Sequence, residues 1–241
     1  MKISFCLLFF FLFPASYSLE QADSVKSKLK AGATVSLNSN GIASIPAFSL
    51  DKPAIIAAIV LAKGRFSYEP TLAYGPELKP WTIDNWLNFK IIRRQAFTLI
   101  TGFNVSAFFS DYKQGDETIL RGQRYFTFAL TGVYSFAHKT TLTMAYWNDN
   151  GQDQGLKGHY FNLAAEKSEI SIWEHVLLSA ALQVFYINYD GKNDGLFITP
   201  KISFSVRNFP LSIYFQGIQA IKSNISPFPG FNWNVGLAYR F

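Results

Sequence analysis

The stretch from Phe231 to Phe241, FNWNVGLAYRF, alternates without a break. Phe231, Trp233, Val235, Leu237, Tyr239 and Phe241 fall on one side of an extended chain, and Asn232, Asn234, Gly236, Ala238 and Arg240 on the other, because successive strand side chains point to opposite faces. A helix would scatter both sets around its circumference. The same grammar recurs upstream: Phe97, Leu99, Thr101, Phe103 and Val105 oppose Thr98, Gly102, Asn104 and Ser106, and Phe126, Phe128 and Leu130 oppose Tyr125, Thr127 and Ala129. Ile202, Phe204 and Val206 oppose Lys201, Ser203, Ser205 and Arg207. One face is large and apolar; the other is small or polar.

A soluble sandwich would also alternate, with its apolar face inward. Three features point to the reverse. The second face carries Ser, Thr, Gly and Asn rather than Lys and Glu, as a crowded polar lumen requires. Aromatic residues, 17% of the chain with 24 Phe and 12 Tyr, gather at strand ends. Tyr74, Trp81, Tyr112, Tyr146, Trp147, Tyr186 and Tyr189 would form one level, and Phe66, Phe89, Phe136, Trp173, Phe209 and Tyr239 the other, as the two girdles of a membrane barrel do. Finally, polar and often long connections take turns with tight ones. The first kind includes residues 75–80, 113–121, 149–157 and 223–230; the second includes 63–65, 93–95, 137–139 and 208–210.

Residues 36–48, 53–62, 65–75, 81–92, 95–111, 122–136, 139–148, 158–168, 172–189, 195–207, 210–222 and 231–241 read as about twelve strands, with ten if the weakest are discounted. The weakest are the first, which contains Pro46, and the pair meeting near residue 170. No stretch after Ser18 approaches the roughly 18 apolar residues of a membrane helix. A spanning sheet in lipid can leave no backbone edge unpaired, so it must close. The expected fold is therefore all-β: a closed antiparallel transmembrane β-barrel, with short turns on the periplasmic side and both ends there.

The first residues have a different logic. Lys2, the apolar run Ile3–Phe13 and the small residues Ala15, Ser16 and Ser18 form a cleavable secretory signal over 1–18. The single Cys, Cys6, leaves with it. Residues 19–34 then read as a periplasmic N-terminal tail and 35–241 as the barrel.

The final strand resembles the assembly signal of Gram-negative outer-membrane β-barrel proteins: a terminal Phe241 preceded at alternate positions by Tyr239, Leu237, Val235 and Trp233. The pieces IPAFSLDKPA, KGRFSYEP, LKPW and NW between Gly41 and Trp86 are similar to those of small porin-like barrels. The resemblance implies an integral cell outer membrane location. The implied partners are the barrel-assembly machinery, periplasmic chaperones, outer-membrane lipids and lipopolysaccharide, with no nucleic acid.

Motifs for chemistry are missing from the sequence. It has no phosphate-binding loop, no HExxH, no GxSxG and no sign of a cofactor or metal site. His138, His159 and His175 are widely spaced, and no His-x-Ser pair of the outer-membrane phospholipase kind occurs. Asp149, Asp153 and His159 lie near one loop without catalytic spacing. What remains is a set of inward charges: Glu69, Asp84 and Lys90 on the third and fourth strands, and Lys201, Arg207 and Arg240 on the tenth and twelfth. They either pair to hold strand registry or line a pore. Loss of Lys2 leaves 21 basic against 16 acidic residues, a weak bias toward anions. The reading is a non-enzymatic, narrow porin-like channel for small hydrophilic solutes. The alternatives are a non-conducting structural or adhesive barrel and an outer-membrane lipid-modifying enzyme.

Overall fold

The computed structural model describes residues 27–153, 155–226 and 230–241. The expected signal peptide, 1–18, and residues 19–26 of the expected tail lie outside the described residues. Within them, twelve antiparallel strands follow one another: β1 (Lys30–Asn38), β2 (Ala54–Lys63), β3 (Phe66–Tyr74), β4 (Pro80–Arg93), β5 (Phe97–Gln114), β6 (Glu117–Phe136), β7 (Thr140–Gly151), β8 (Lys157–Ser171), β9 (Val176–Tyr189), β10 (Asn193–Val206), β11 (Leu211–Ser223) and β12 (Phe231–Arg240). Each pairs with its sequence neighbours, and β1 pairs with β12, so the sheet closes into a barrel.

Alternation places the faces as expected. The large apolar residues point out: Phe128, Leu130, Phe204, Ile213, Trp233, Leu237 and Phe241 are all exposed. Their lumen-facing neighbours Thr127, Ala129, Asn232 and Asn234 are buried. A continuous apolar exterior on a closed sheet is the surface that hydrocarbon, not water, solvates. The short-turn level carries Phe66, Phe136, Trp173, Phe209 and Tyr239 outward.

Four expectations are corrected. β1 begins at Lys30 and ends at Asn38, so residues 30–34 belong to the barrel and not to the tail. The segment 39–53 is a loop that turns into the barrel through a short 3-10 turn at Pro46–Phe48. Pro46 has no N–H to give a ladder, and the small residues of β1 give only a short apolar alternation at Val35 and Leu37. The expected loop 113–121 is instead the end of a long hairpin. β5 and β6 stay in register from Phe97–Tyr134 to Gln114–Glu117 and turn at Gly115, whose φ of +64° suits glycine. Beyond the lipid no apolar face is required, so this ribbon lacks the pattern that marks the other strands. Near residue 170 the turn falls at 172–175, after β8 and before β9. Finally, the long-loop girdle is incomplete: Trp81 and Tyr189 are buried and Trp147 packs against the interior core. Trp147 and Tyr189 lie on the lumen-facing parity of their strands, whereas Trp81 is the extra residue where the β3–β4 register shifts, and this bulge turns it inward.

The barrel is not evenly filled. Toward the long loops, Ile45 from the inward loop and Ile225 from the β11–β12 connection pack on Tyr160, Phe185, Ile187, Phe197 and Ile218. Ring contacts run along this wall from Trp86 to Trp147 (5.4 Å between centroids), Tyr160 (4.5 Å), Phe185 (5.3 Å) and Phe197 (5.1 Å). Such spacings are favourable for offset and tilted rings. Toward the short turns the lumen is polar. Tyr214 covers Gly236 there, where a Cβ would collide with the ring.

β1 meets β12 over five register pairs, Thr34–Arg240 to Asn38–Gly236. Amides extend this seam outward. Asn40 Nδ2 donates to Asn232 Oδ1 (2.5 Å), Asn234 Nδ2 donates to Asn38 Oδ1 (2.9 Å), and the Asn40 backbone N–H donates to Asn234 Oδ1 (3.1 Å).

Candidate functional site: two chambers and an inward loop

The inward loop is held at three points. Phe48 stacks on Phe108 at 4.3 Å and meets Tyr125 edge-on at 5.4 Å. Trp81 Nε1 donates to the Phe48 carbonyl (2.8 Å). Asn232 Nδ2 donates to Asp51 Oδ1 (2.5 Å), tying the loop to β12. Such anchors make the loop part of the barrel interior and narrow it on the long-loop side.

Between this loop and the β4–β7 wall lies an outer cavity of about 190 Å³. Asp84 and Asp149 are its charged lining residues. Asp84 accepts from Thr82 Oγ1 (3.3 Å) and Asn104 Nδ2 (3.2 Å). Asp149 accepts from Thr127 Oγ1 at 2.6 Å. Asn104 and Thr127 are register partners on β5 and β6, so they bridge the two carboxylates along one level.

Toward the short turns lies a larger chamber of about 720 Å³, and it reaches the β10–β11 turn. Lys201, Arg207 and Arg240 line it together with Glu166 and Glu169. Lys201 Nζ stands 4.4 Å from the Tyr214 ring centroid, and Ser168 Oγ donates to Glu166 Oε1 (2.8 Å). Glu169 pairs with Lys139 of the adjacent turn. Among the described residues Arg207 and Arg240 have no ion pair, which leaves their charge to the chamber.

The six residues singled out in the sequence thus divide. Lys201, Arg207 and Arg240 come together in the inner chamber, and Asp84 stands in the outer cavity. Glu69 accepts from Ser67 Oγ (2.6 Å) on its own strand, and Lys90 lies opposite Ile100; neither lines either space. Asp149, Glu166 and Glu169 were missed. Asp149 reads as the first residue of a polar loop, yet β7 continues through it to Gly151 and turns it inward. Its even spacing from Trp147 and Ala145 was the available signal. The loop grouping of Asp149, Asp153 and His159 dissolves. His159 faces outward and bonds Tyr146 Oη through Nδ1 (2.8 Å). Asp153 sits in the β7–β8 loop, where the Arg124 guanidinium and backbone N–H hold its carboxyl below the usual value.

No protein-family model matches this sequence, and no curated protein is similar to it. Among solved structures the chain is similar to the KdgM porin, with 10% identity and a TM-score of 0.57 over 87% of this chain and 99% of that one. It is also similar to an outer membrane channel from Pseudomonas putida F1, with 11% identity and a TM-score of 0.49 over 95% and 98% of the two chains. At these identities the likeness is one of fold. The chain has the architecture of an integral outer-membrane β-barrel, as its final strand suggested.

Proposed function

We propose that this barrel, seated in the outer membrane, is a narrow, non-enzymatic passage for small hydrophilic solutes whose tightest level is set by the loop 39–53. The observation that carries the reading is the inner chamber. About 720 Å³ of polar space with three basic side chains reaches the short-turn rim, and a barrel built only as an anchor needs no such void. Twelve strands lie between the roughly eight that side chains fill and the 16–18 that leave an open channel. An inward loop is a direct way to narrow an intermediate lumen. The fold shared with the KdgM porin supports the same reading by analogy of architecture. The barrel-assembly machinery and periplasmic chaperones would deliver the chain, and membrane lipids and lipopolysaccharide would surround it.

The aromatic packing of the outer half favours a second reading, a non-conducting barrel that presents its loops. Planar-bilayer recording separates the two. Wild-type protein should give small, discrete steps, and Phe48→Ala, which removes the stack on Phe108 and Tyr125, should enlarge them. Silence from both proteins, with folding verified by heat-dependent gel migration, would leave the structural barrel.

A further inference from the structure

We propose that the outer cavity is a binding site for a small primary alkylammonium ion. This goes beyond the passage reading, because the site exists whether or not the barrel conducts.

The chemistry of the lining carries it. Asp84 and Asp149 are the acidic groups of the described lining, which holds no Lys or Arg. Asp84 has both oxygens occupied, by Thr82 and Asn104. Asp149 is only 5% exposed, yet just one of its oxygens is bonded, to Thr127. Ser106 is 4% exposed and lines the same cavity, and among the described residues its hydroxyl has no hydrogen-bond partner. Both residues are buried, yet the free carboxylate oxygen and the hydroxyl face the void, so each keeps hydrogen-bonding capacity for a ligand held there.

The remaining wall says what that ligand is. Trp86 and Trp147 line the cavity at 5.4 Å from one another with their planes tilted by 50°. An indole face attracts a cation, more strongly where water is excluded. Ile42, Ile56 and Phe48 complete an apolar side that a hydrated metal ion would not use. The volume accommodates roughly six water-sized groups at about 30 Å³ each. A short alkyl chain ending in an ammonium satisfies every feature. Its ammonium donates to the open oxygen of Asp149, and its carbons lie along the indoles and the inward loop. A neutral alcohol matches the shape but leaves the charge unanswered, and a sodium ion answers the charge but leaves the aromatic wall idle.

The test uses the full mature chain refolded in detergent micelles, with n-butylammonium chloride as probe and calorimetry as readout. Saturable one-to-one binding is expected, with n-butanol and sodium each at least about tenfold weaker, since a hydrogen bond to a charged group contributes about 1.5–3 kcal/mol. Asp149→Asn should weaken the ammonium by at least about tenfold and leave n-butanol unchanged. If Asp149→Asn does not assemble, Trp147→Leu provides the second arm and should also weaken it severalfold. No saturable binding by wild type, equal binding of butanol or sodium, or full affinity in a folded Asp149→Asn or Trp147→Leu protein would each overturn the site.

Discussion

Leu130 offers the strictest test of which side of this sheet meets lipid. It points outward from β6 between Phe126 and Phe136 and is exposed. A strand residue rises about 3.3 Å, and a barrel tilt of about 40° turns that into about 2.5 Å of membrane depth. The ten steps from Phe126 to Phe136 then cover about 25 Å, the height of a barrel's apolar band. Leu130 stands about 10 Å from the Phe126 level and about 15 Å from the Phe136 level, so it lies within about 3 Å of the middle. A charge at that depth costs about 2–4 kcal/mol, so Leu130→Arg should lower the folding constant roughly 30- to 700-fold. Phe136→Arg, at the rim, should lose only about 0–1 kcal/mol to the same effect. Thr131→Arg, one residue away but on the lumen face, should behave like the rim change. Urea titrations of folding into phosphatidylcholine vesicles, followed by tryptophan fluorescence and heat-dependent gel migration, measure all three. If Leu130→Arg and Thr131→Arg cost the same, the faces are not those described and the lipid-facing exterior is wrong.

Other expectations follow from the same placements. Phe241→Ser should reduce the folded yield in outer membranes, because Phe241 continues the outward apolar row of β12. Arg240→Ser, which changes a chamber residue, should reduce it less, and equal losses would count against Phe241 as an assembly signal. If the barrel conducts, replacing both Lys201 and Arg207 with Glu should shift the reversal potential in a KCl gradient toward cations, and an unmoved potential would place those side chains off the path. Asp153 has its carboxyl depressed below 3.8, first by hydrogen bonding to Arg124. Its contribution to holding the β7–β8 loop is therefore complete above that value and lost as the pH falls through the lower folded value. Asp153→Asn should loosen the loop toward protease at neutral pH, and the difference from wild type should vanish in strong acid; a difference that persists there would contradict the ion pair.

The barrel was legible in the sequence because lipid imposes a strict rule on every spanning strand. Where that rule applies, as from Phe231 to Phe241 or Phe126 to Phe136, the two faces followed directly. Where it lapses, the reading failed. The hairpin 110–122 lies beyond the band, so its polar residues resemble a loop although the backbone pairing continues. Residues 39–48 of the inward loop read as strand because Ile42, Ile45 and Phe48 are apolar, although they recur at every third position rather than every second and here fill an interior. Aromatic residues were ambiguous for the same reason: Trp81, Trp147 and Tyr189 look like girdle residues by type, yet strand parity sends Trp147 and Tyr189 inside and a bulge between β3 and β4 sends Trp81 there. Asp84 and Lys201 could be placed by alternation alone. Asp149 could not, since its strand was ended one residue too soon.

Eleven of the twelve strand pairings join neighbours in the chain, many across a few residues, whereas Asn38 and Asn234 meet across 196. The entropy of closing a loop grows as three-halves of RT times the logarithm of its length, so the β1–β12 contact carries about 4 kcal/mol more closure cost than a two-residue turn. Its ladder of five register pairs is among the shortest in the molecule. The last event of folding is therefore expected at this one joint, where the growing ribbon must find its own beginning. The cluster of Asn38, Ser39, Asn40, Asn232 and Asn234 then acts as a clasp, supplying through side chains the hold that a short ladder lacks.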